Sequence, residues 1–252
     1  MEMPFDVVIP ARWESTRLPG KVLADLHGMP MIQRVYERAV LSDAEVVVIA
    51  TDSHEILQVV EEFGGEAILT DSSHKSGTDR IAEVFTSERW EPDRVVVSVQ
   101  GDEPFIEPTT INNVAGVLLD GENDAGVSTA ATQIDSVAEY LDSNVVKVVV
   151  DNADNALYFS RAPIPAVRGA KPTEAYTSAM RHLGIYGYRV SFLREWPNLP
   201  VSMLEDLEAL EQLRILSAGS KIKVCRVEEG NSIGVDTPKD LAIARELFAN
   251  RL

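Results

Sequence analysis

One cysteine, Cys225, stands in 252 residues. A lone thiol closes no internal disulfide, so a reducing compartment is expected, and the alternation of KIKVCRV around it reads as a strand carrying a small apolar core residue. Basic residues are scarce: 23 Lys and Arg against 40 Asp and Glu, a formal charge of −17. That balance argues against a duplex nucleic-acid binder, which needs a basic face to meet phosphates. Long apolar runs are missing as well. Val46–Ala50 and Val95–Val99 are strand-sized, far short of the roughly 20 apolar residues of a membrane span. The opening MEMPFDVVIPAR lacks the basic start and apolar stretch of a secretory signal. A cytoplasmic protein, off the membrane, is therefore expected. No Cys/His cluster has zinc spacing. No repeat, low-complexity tract or Gly/Ser linker divides the chain.

What is present is globular: 45% apolar and 25% charged residues. The length suits one large α/β domain or two small ones, and the core needs no staple. The first half alternates short β-branched runs with amphipathic helices. Strands are expected at Phe5–Ile9, Val46–Ala50, Ala67–Leu69, Val95–Val99 and Gly126–Ala131. Helices are expected at Pro30–Val40 with Pro30 in the first turn, His54–Phe63, Thr78–Phe85 and Pro108–Leu119. Thr51–Ser53 offers caps for the second helix, and Gly64–Gly65 stops it. This order predicts an α/β fold with a doubly wound, mostly parallel sheet. After about residue 140 the pattern changes. Val145–Val150 and Ala156–Phe159 flank the turn residues 151–155, which predicts an antiparallel hairpin. His182–Tyr188 and Ile222–Val227 read as strands, and Met203–Leu216 and Pro238–Phe248 as helices. Residues 166–178 read as an irregular, mobile loop. The antiparallel strands suggest a sub-lobe closing one side of a cleft.

In open α/β sheets ligands bind at the carboxyl ends of the strands. The first such end here is followed by PARWESTRLPGK. Residues 12–21 hold Arg12, Arg17 and Lys21 against Glu14, a local +2 in an acidic chain. With Ser15, Thr16 and Gly20 among them, three cations suit a triphosphate; a solvated basic turn is the alternative. The loop matches neither G-x-x-x-x-G-K-[ST] nor G-x-G-x-x-G, so a dinucleotide-binding dehydrogenase loses its main support. Asp102, just past a strand, and Asp236, ahead of the last helix, can converge on Mg²⁺, which takes oxygen ligands and substrate phosphates. A turn former and a helix N-cap are the plainer readings of the two. Arg80 reads equally as a surface ion pair with Asp79 or Glu83, and His182 as a hydrogen-bonded core histidine. Glu211 falls on the apolar face of the 203–216 helix, behind Leu204 and Leu207, where a carboxylate is costly unless bound or paired with Arg214.

The motifs occur in a recognisable order: IPAR-x-x-STR-LPGK (9–21), ATD (50–52), SGTDR (76–80), VQGDEP (99–104), ALYFSRAPIP (156–165), RHLGIYGYR (181–189), LEQLR (210–214) and GVDTP (234–238). The set resembles the sugar nucleotidyltransferases that activate acidic sugars with CTP, most closely the 3-deoxy-manno-octulosonate (Kdo) cytidylyltransferase family of lipopolysaccharide assembly, and it covers nearly the whole chain.

The resemblance implies one nucleotidyltransferase domain over 1–252. About 1–140 would form the CTP half, about 141–232 a sugar-binding and dimerisation sub-lobe of a homodimer, and 233–252 the C-terminal helix. It implies Mg²⁺ on Asp102 and Asp236, and a catalytic set of Arg12, Arg17, Lys21 and these two aspartates. CTP would meet Ala11, Arg12, Ser15, Arg17, Lys21, Ser76, Gly77, Thr78, Arg80, Gln100 and Asp102. The sugar would meet Gln100, Arg161, His182, Tyr186, Glu211 and Gln212. The anomeric hydroxyl of Kdo would attack the α-phosphate of CTP and release pyrophosphate, with no dedicated general base assigned. One departure is Met203 where the family often has proline. Another is the acidic trio Glu205, Asp206 and Glu208, read either as helix capping or as the mark of an 8-amino-3,8-dideoxy sugar; the same reaction on that sugar or on another 2-keto-3-deoxy sugar acid is the alternative function. A non-catalytic nucleotide-binding regulator on the same fold is the rival from outside enzymes.

Overall fold

The computed structural model describes residues 4–14, 18–85, 90–120, 124–169, 171–228 and 234–250. Among these residues nine strands form one sheet: β1 (Phe5–Ala11), β2 (Val46–Thr51), β3 (Ala67–Leu69), β4 (Val95–Ser98), β5 (Val127–Gln133), β6 (Lys147–Val150), β7 (Ala156–Ser160), β8 (Met180–Arg189) and β9 (Ile222–Arg226). The helices are α1 (Met31–Val40), α2 (His54–Glu62), α3 (Gly77–Phe85), α4 (Pro108–Leu119), α5 (Val137–Leu141), α6 (Pro172–Ala175), α7 (Val190–Glu195), α8 (Met203–Glu208), α9 (Gln212–Ser217) and α10 (Pro238–Ala249).

The main sheet runs β3-β2-β1-β4-β8-β5-β9. β1 pairs in parallel with β2 and β4, β2 with β3, and β5 with β9. β8 lies antiparallel between β4 and β5. The β6–β7 hairpin joins through the far end of β8.

The central strands are buried on both faces, as their unbroken Val/Ile runs require. One face packs Val7, Ile9, Val95 and Val97 against Ile32 and Val35 of α1, Ile56 and Val60 of α2, and Ile111 and Val114 of α4. The other packs Val8, Val48 and Val96 against Ile81 and Phe85 of α3, Phe192 and Leu193 of α7, and Leu213 of α9. These are the two helical layers of a doubly wound sheet.

Local chemistry explains most boundaries. Ser53 accepts from the backbone N–H of Glu55 and Ile56 and so starts α2. Gly64 ends it at φ 79°, a conformation glycine adopts without steric cost. Pro30 sits at the N-cap of α1, one residue outside its expected place. Thr237 and Asp240 close a capping box on α10.

Two expectations need correction. The single helix expected over 203–216 is two, α8 and α9, broken at Ala209, whose φ is 50°. The N–H of Leu210 turns back to the carbonyl of Glu205 at 3.2 Å, which ends α8. Met203 and Leu207 are consequently exposed, while Leu210 and Leu213 are buried. The segment 166–178 carries α6 and a 3₁₀ turn at Tyr176–Ser178. Ala175 in it and Ala179 just after it pack on Ile134 and Tyr140. Tyr188 is buried, and Tyr186 stacks on it at 5.9 Å. Cys225 is half-buried in β9, and burial pushes its thiol up from the usual range.

Candidate active site

Two cavities adjoin at the carboxyl edge of β1 and β4. The first, about 350 Å³, is lined by Ala11, Arg12, Lys21, Ser76, Gly77, Arg80, Gln100, Asp102, Glu211 and Asp236. β1 delivers Ala11 and Arg12, the loop after β4 delivers Gln100 and Asp102, and the start of α3 delivers Ser76 and Gly77. Ser15 and Arg17 of the expected set lie outside the described residues.

The expected metal carboxylates do come together. The N–H of Val235 donates to the carbonyl of Asp102 at 2.9 Å, tying the two loops. Lys21 donates to Asp102 and, at 3.0 Å, to Asp236. Burial by itself would lower the lysine pKa; the two carboxylates outweigh it and raise it. One ammonium thus stands where two oxygen donor sets converge. Two hard carboxylates around one cationic position fit a divalent ion completed by phosphate oxygens and water. Among the described residues no group of three or more His, Cys, Asp or Glu is arranged to hold a metal.

Arg80 is neither free nor paired with its helix neighbours. It is buried, and its guanidinium donates to Asp52 at 2.7 Å and to the Thr70 hydroxyl. Asp79 instead exchanges hydrogen bonds with Ser76, 3.1 Å each way, across the start of α3. Its other oxygen accepts from the indole N–H of Trp196 at 2.8 Å. Asp52 and Thr70 were not among the expected site residues. The ATD block carried the only signal for Asp52, and no pattern marks Thr70. Gly101 lies so close to Pro10 that a Cβ there would stand 3.1 Å from its carbonyl oxygen.

The second cavity, about 460 Å³, is lined by all six residues expected for the sugar: Gln100, Arg161, His182, Tyr186, Glu211 and Gln212. Gln100 and Glu211 line both cavities. Glu211 reaches the site by a different route from the expected helix face: the chain break at Ala209 places it immediately before α9. Burial raises its carboxyl above the usual range despite the nearby hydroxyls of Thr78 and Ser76. Its Oε1 is buried without a hydrogen-bond partner, and so is the hydroxyl of Tyr186. Burial raises the Tyr186 phenol as well. Orphaned buried polar atoms are rare in a native fold and call for a ligand or water. Arg161 is anchored: its guanidinium donates to the carbonyls of Glu208, Ser143 and Ala209 at 2.7, 3.0 and 3.3 Å.

The acidic trio now has structural partners. Glu205 closes a capping box with Ser202 and grips Arg214 at 2.5 and 2.8 Å. Arg214 in turn covers the Trp196 ring. It is therefore engaged away from Glu211. Glu208 accepts from the Ser160 hydroxyl at 2.6 Å and the Arg161 N–H at 2.9 Å. Asp206 lies in the first turn of α8, where the helix dipole favours an acid.

A doubly wound sheet with a polar cleft at its strand ends, paired carboxylates on one side and unsatisfied hydrogen-bonding groups on the other, defines a nucleotide-dependent group transferase. A family model described as cytidylyltransferase matches residues 7–222. A 3-deoxy-manno-octulosonate cytidylyltransferase of Photorhabdus laumondii is 48% identical over 97% of this chain and 98% of its own length. One from Vibrio parahaemolyticus is 46% identical over 99% and 100%. The solved structure of CMP:2-keto-3-deoxy-manno-octonic acid synthetase complexed with CTP superposes with a TM-score of 0.89, 42% identity, and coverage of 99% and 100%. A Leptospira borgpetersenii cytidylyltransferase shares the fold at TM-score 0.65 and 15% identity. The chain belongs to the cytidylyltransferase family, and within it to the 3-deoxy-manno-octulosonate cytidylyltransferases.

Proposed function

We propose that this protein activates Kdo with CTP, giving CMP-Kdo and pyrophosphate for lipopolysaccharide assembly. The observation that carries the reading is the pair of adjoining cavities sharing Gln100 and Glu211. One holds the paired aspartates with Arg12 and Lys21. The other holds the unsatisfied Tyr186 hydroxyl and Glu211 Oε1, which suit a polyhydroxylated ligand.

CTP would lie in the first cavity. Arg12, Arg17 and Lys21 would hold its β- and γ-phosphates and the departing pyrophosphate. Ser76, Gly77 and Arg80 would face the base end, with Arg80 fixed by Asp52 and Thr70, while Thr78, expected on the CTP side, lines the second cavity. Gln100, between the cavities, would touch both substrates. Arg161, His182, Tyr186, Glu211 and Gln212 would orient the sugar so that its anomeric hydroxyl faces the α-phosphate. Asp102 and Asp236 would hold Mg²⁺, which when bound neutralises phosphate charge and lowers the pKa of a nearby hydroxyl. The residues' own contribution is positioning and charge complementarity, which account for most of the catalysis in such transfers. The working form would be a cytoplasmic homodimer; no helix among the described residues is long and apolar enough to cross a membrane.

The 8-amino sugar is disfavoured, because Glu205 and Glu208 already have protein partners. A non-catalytic regulator is disfavoured by the intact aspartate pair. Pyrophosphate release with CTP and either Kdo or its 8-amino analogue is the test. Release with Kdo is expected; release with neither sugar would sink the assignment.

A further inference from the structure

Across β5 and β8 the register runs Thr129 opposite Tyr186 and then Ala130 opposite Leu183. Gly184 and Ile185 thus bulge out of the ladder. Residues four apart on a regular strand stand roughly 13 Å apart. Here the rings of His182 and Tyr186 have centroids 5.3 Å apart. The bulge is what brings two separated side chains of one strand into the same cavity, a use typical of such irregularities.

Thr129 is fully buried beneath this bulge. Its hydroxyl lies 2.7 Å from the carbonyl of Ile185, 3.2 Å from that of Leu183 and 2.9 Å from Nε2 of His182. A hydroxyl has one proton. The carbonyls can only accept, and that of Ile185 makes the shortest contact. A proton given to it leaves Thr129 Oγ1 as an acceptor toward His182, an arrangement in which Nε2 carries the hydrogen. Phe159 packs edge-on against the same ring at 4.9 Å and limits its rotation. Burial pushes the imidazole pKa down to about 3, so the ring is neutral and Nδ1 is an acceptor.

We infer that Thr129 is a positioning residue for sugar recognition: it clasps the β8 bulge and fixes His182 as the Nε2–H tautomer, leaving Nδ1 to accept from a sugar hydroxyl. This rests on the Kdo reading for the identity of the ligand, but the tautomer belongs to the free protein.

The test is ¹⁵N NMR of the histidine side chains in the ligand-free enzyme, with His182→Gln assigning the signal. Wild type and Thr129→Ser are expected to show the Nε2–H form. Thr129→Val removes the acceptor, so the Nδ1–H form is expected to grow. Its KM for Kdo is expected to rise at least about tenfold, the size of one hydrogen bond, with the KM for CTP within about twofold. Thr129→Ser is expected to restore both. A wild-type Nδ1–H signal overturns the proposal without any variant. So does an unchanged tautomer in folded Thr129→Val, or an equal rise of both KM values. A wild-type enzyme inactive with Kdo would instead sink the substrate reading and leave the tautomer to judge Thr129.

Discussion

Asp102 and Asp236 stand on separate loops, yet one lysine spans them and one backbone hydrogen bond ties their loops. Asp102→Asn keeps the shape and removes half of the anionic pair. Turnover is expected to fall by about 10²-fold or more with the circular dichroism spectrum unchanged; a near-normal rate at saturating Mg²⁺ would remove Asp102 from the metal site. Glu211 gives a second prediction, this time with pH. Burial raises its folded pKa above the ordinary glutamate value of 4.5. The fold is therefore most favoured, as far as this group is concerned, below that ordinary value. The favour is lost as pH rises through the raised one. Glu211→Gln is neutral at every pH. It is expected to stabilise the ligand-free protein at pH 7, with the gain shrinking as the solution is acidified toward the ordinary glutamate range, while raising the KM for Kdo more than that for CTP. Denaturant midpoints at several pH values check the first part. A variant less stable than wild type at pH 7 would show that its carboxylate is satisfied in the free fold.

The elements around α8 show how a helix signal misleads when a chain break intervenes. The apolar spacing from Met203 to Leu213 is compatible with one helix, and Ala209 has high helix propensity. Three-dimensional demands prevail: Glu205 is held by Ser202 and Arg214, Glu208 by Ser160 and Arg161, and the intervening turn adopts a left-handed residue. Ala209→Gly is expected to stabilise the fold by about 1 kcal/mol, because glycine removes the Cβ penalty of that conformation. A loss of stability in urea unfolding would contradict the left-handed turn. Glu205→Ala removes a cap and an ion pair that is only slightly exposed. A destabilisation of at least about 1 kcal/mol is expected, with the KM for Kdo little changed. A large change in sugar preference without loss of stability would return this acid to the sugar site.

At the scale of the whole molecule the charge of −17 meets two anionic substrates. Opposing fields act at different ranges. The cations of the first loop act at contact distance, where salt screens little. The bulk acidity acts over distances that salt screens well, since the Debye length falls from ~30 Å at 0.01 M to ~10 Å at 0.1 M. Raising ionic strength over that interval at constant free Mg²⁺ is expected to raise kcat/KM for CTP. A steep fall would mean that long-range attraction guides the nucleotide after all.

The order of strands and helices in the first half was legible from periodicity, caps and glycine stops, because local chemistry and tertiary packing agree there. The meeting of Arg12 and Lys21 with Asp102 and Asp236 in one cleft was anticipated from loops at a strand end and ahead of the last helix. The second cavity was legible only as a resemblance: its six expected residues come from the end of β7, β8, the loop after β4 and the start of α9, and no local pattern says that they meet. The tertiary structure alone decided that β8 enters the sheet antiparallel, that α8 and α9 are separate, and that Arg80 rests on Asp52 and Thr70. It also placed Thr129 under the bulge that joins His182 to Tyr186. Sequence spacing records neighbours along the chain; a bulge, a left-handed break and a buried ion pair are settled by what the rest of the fold packs against them.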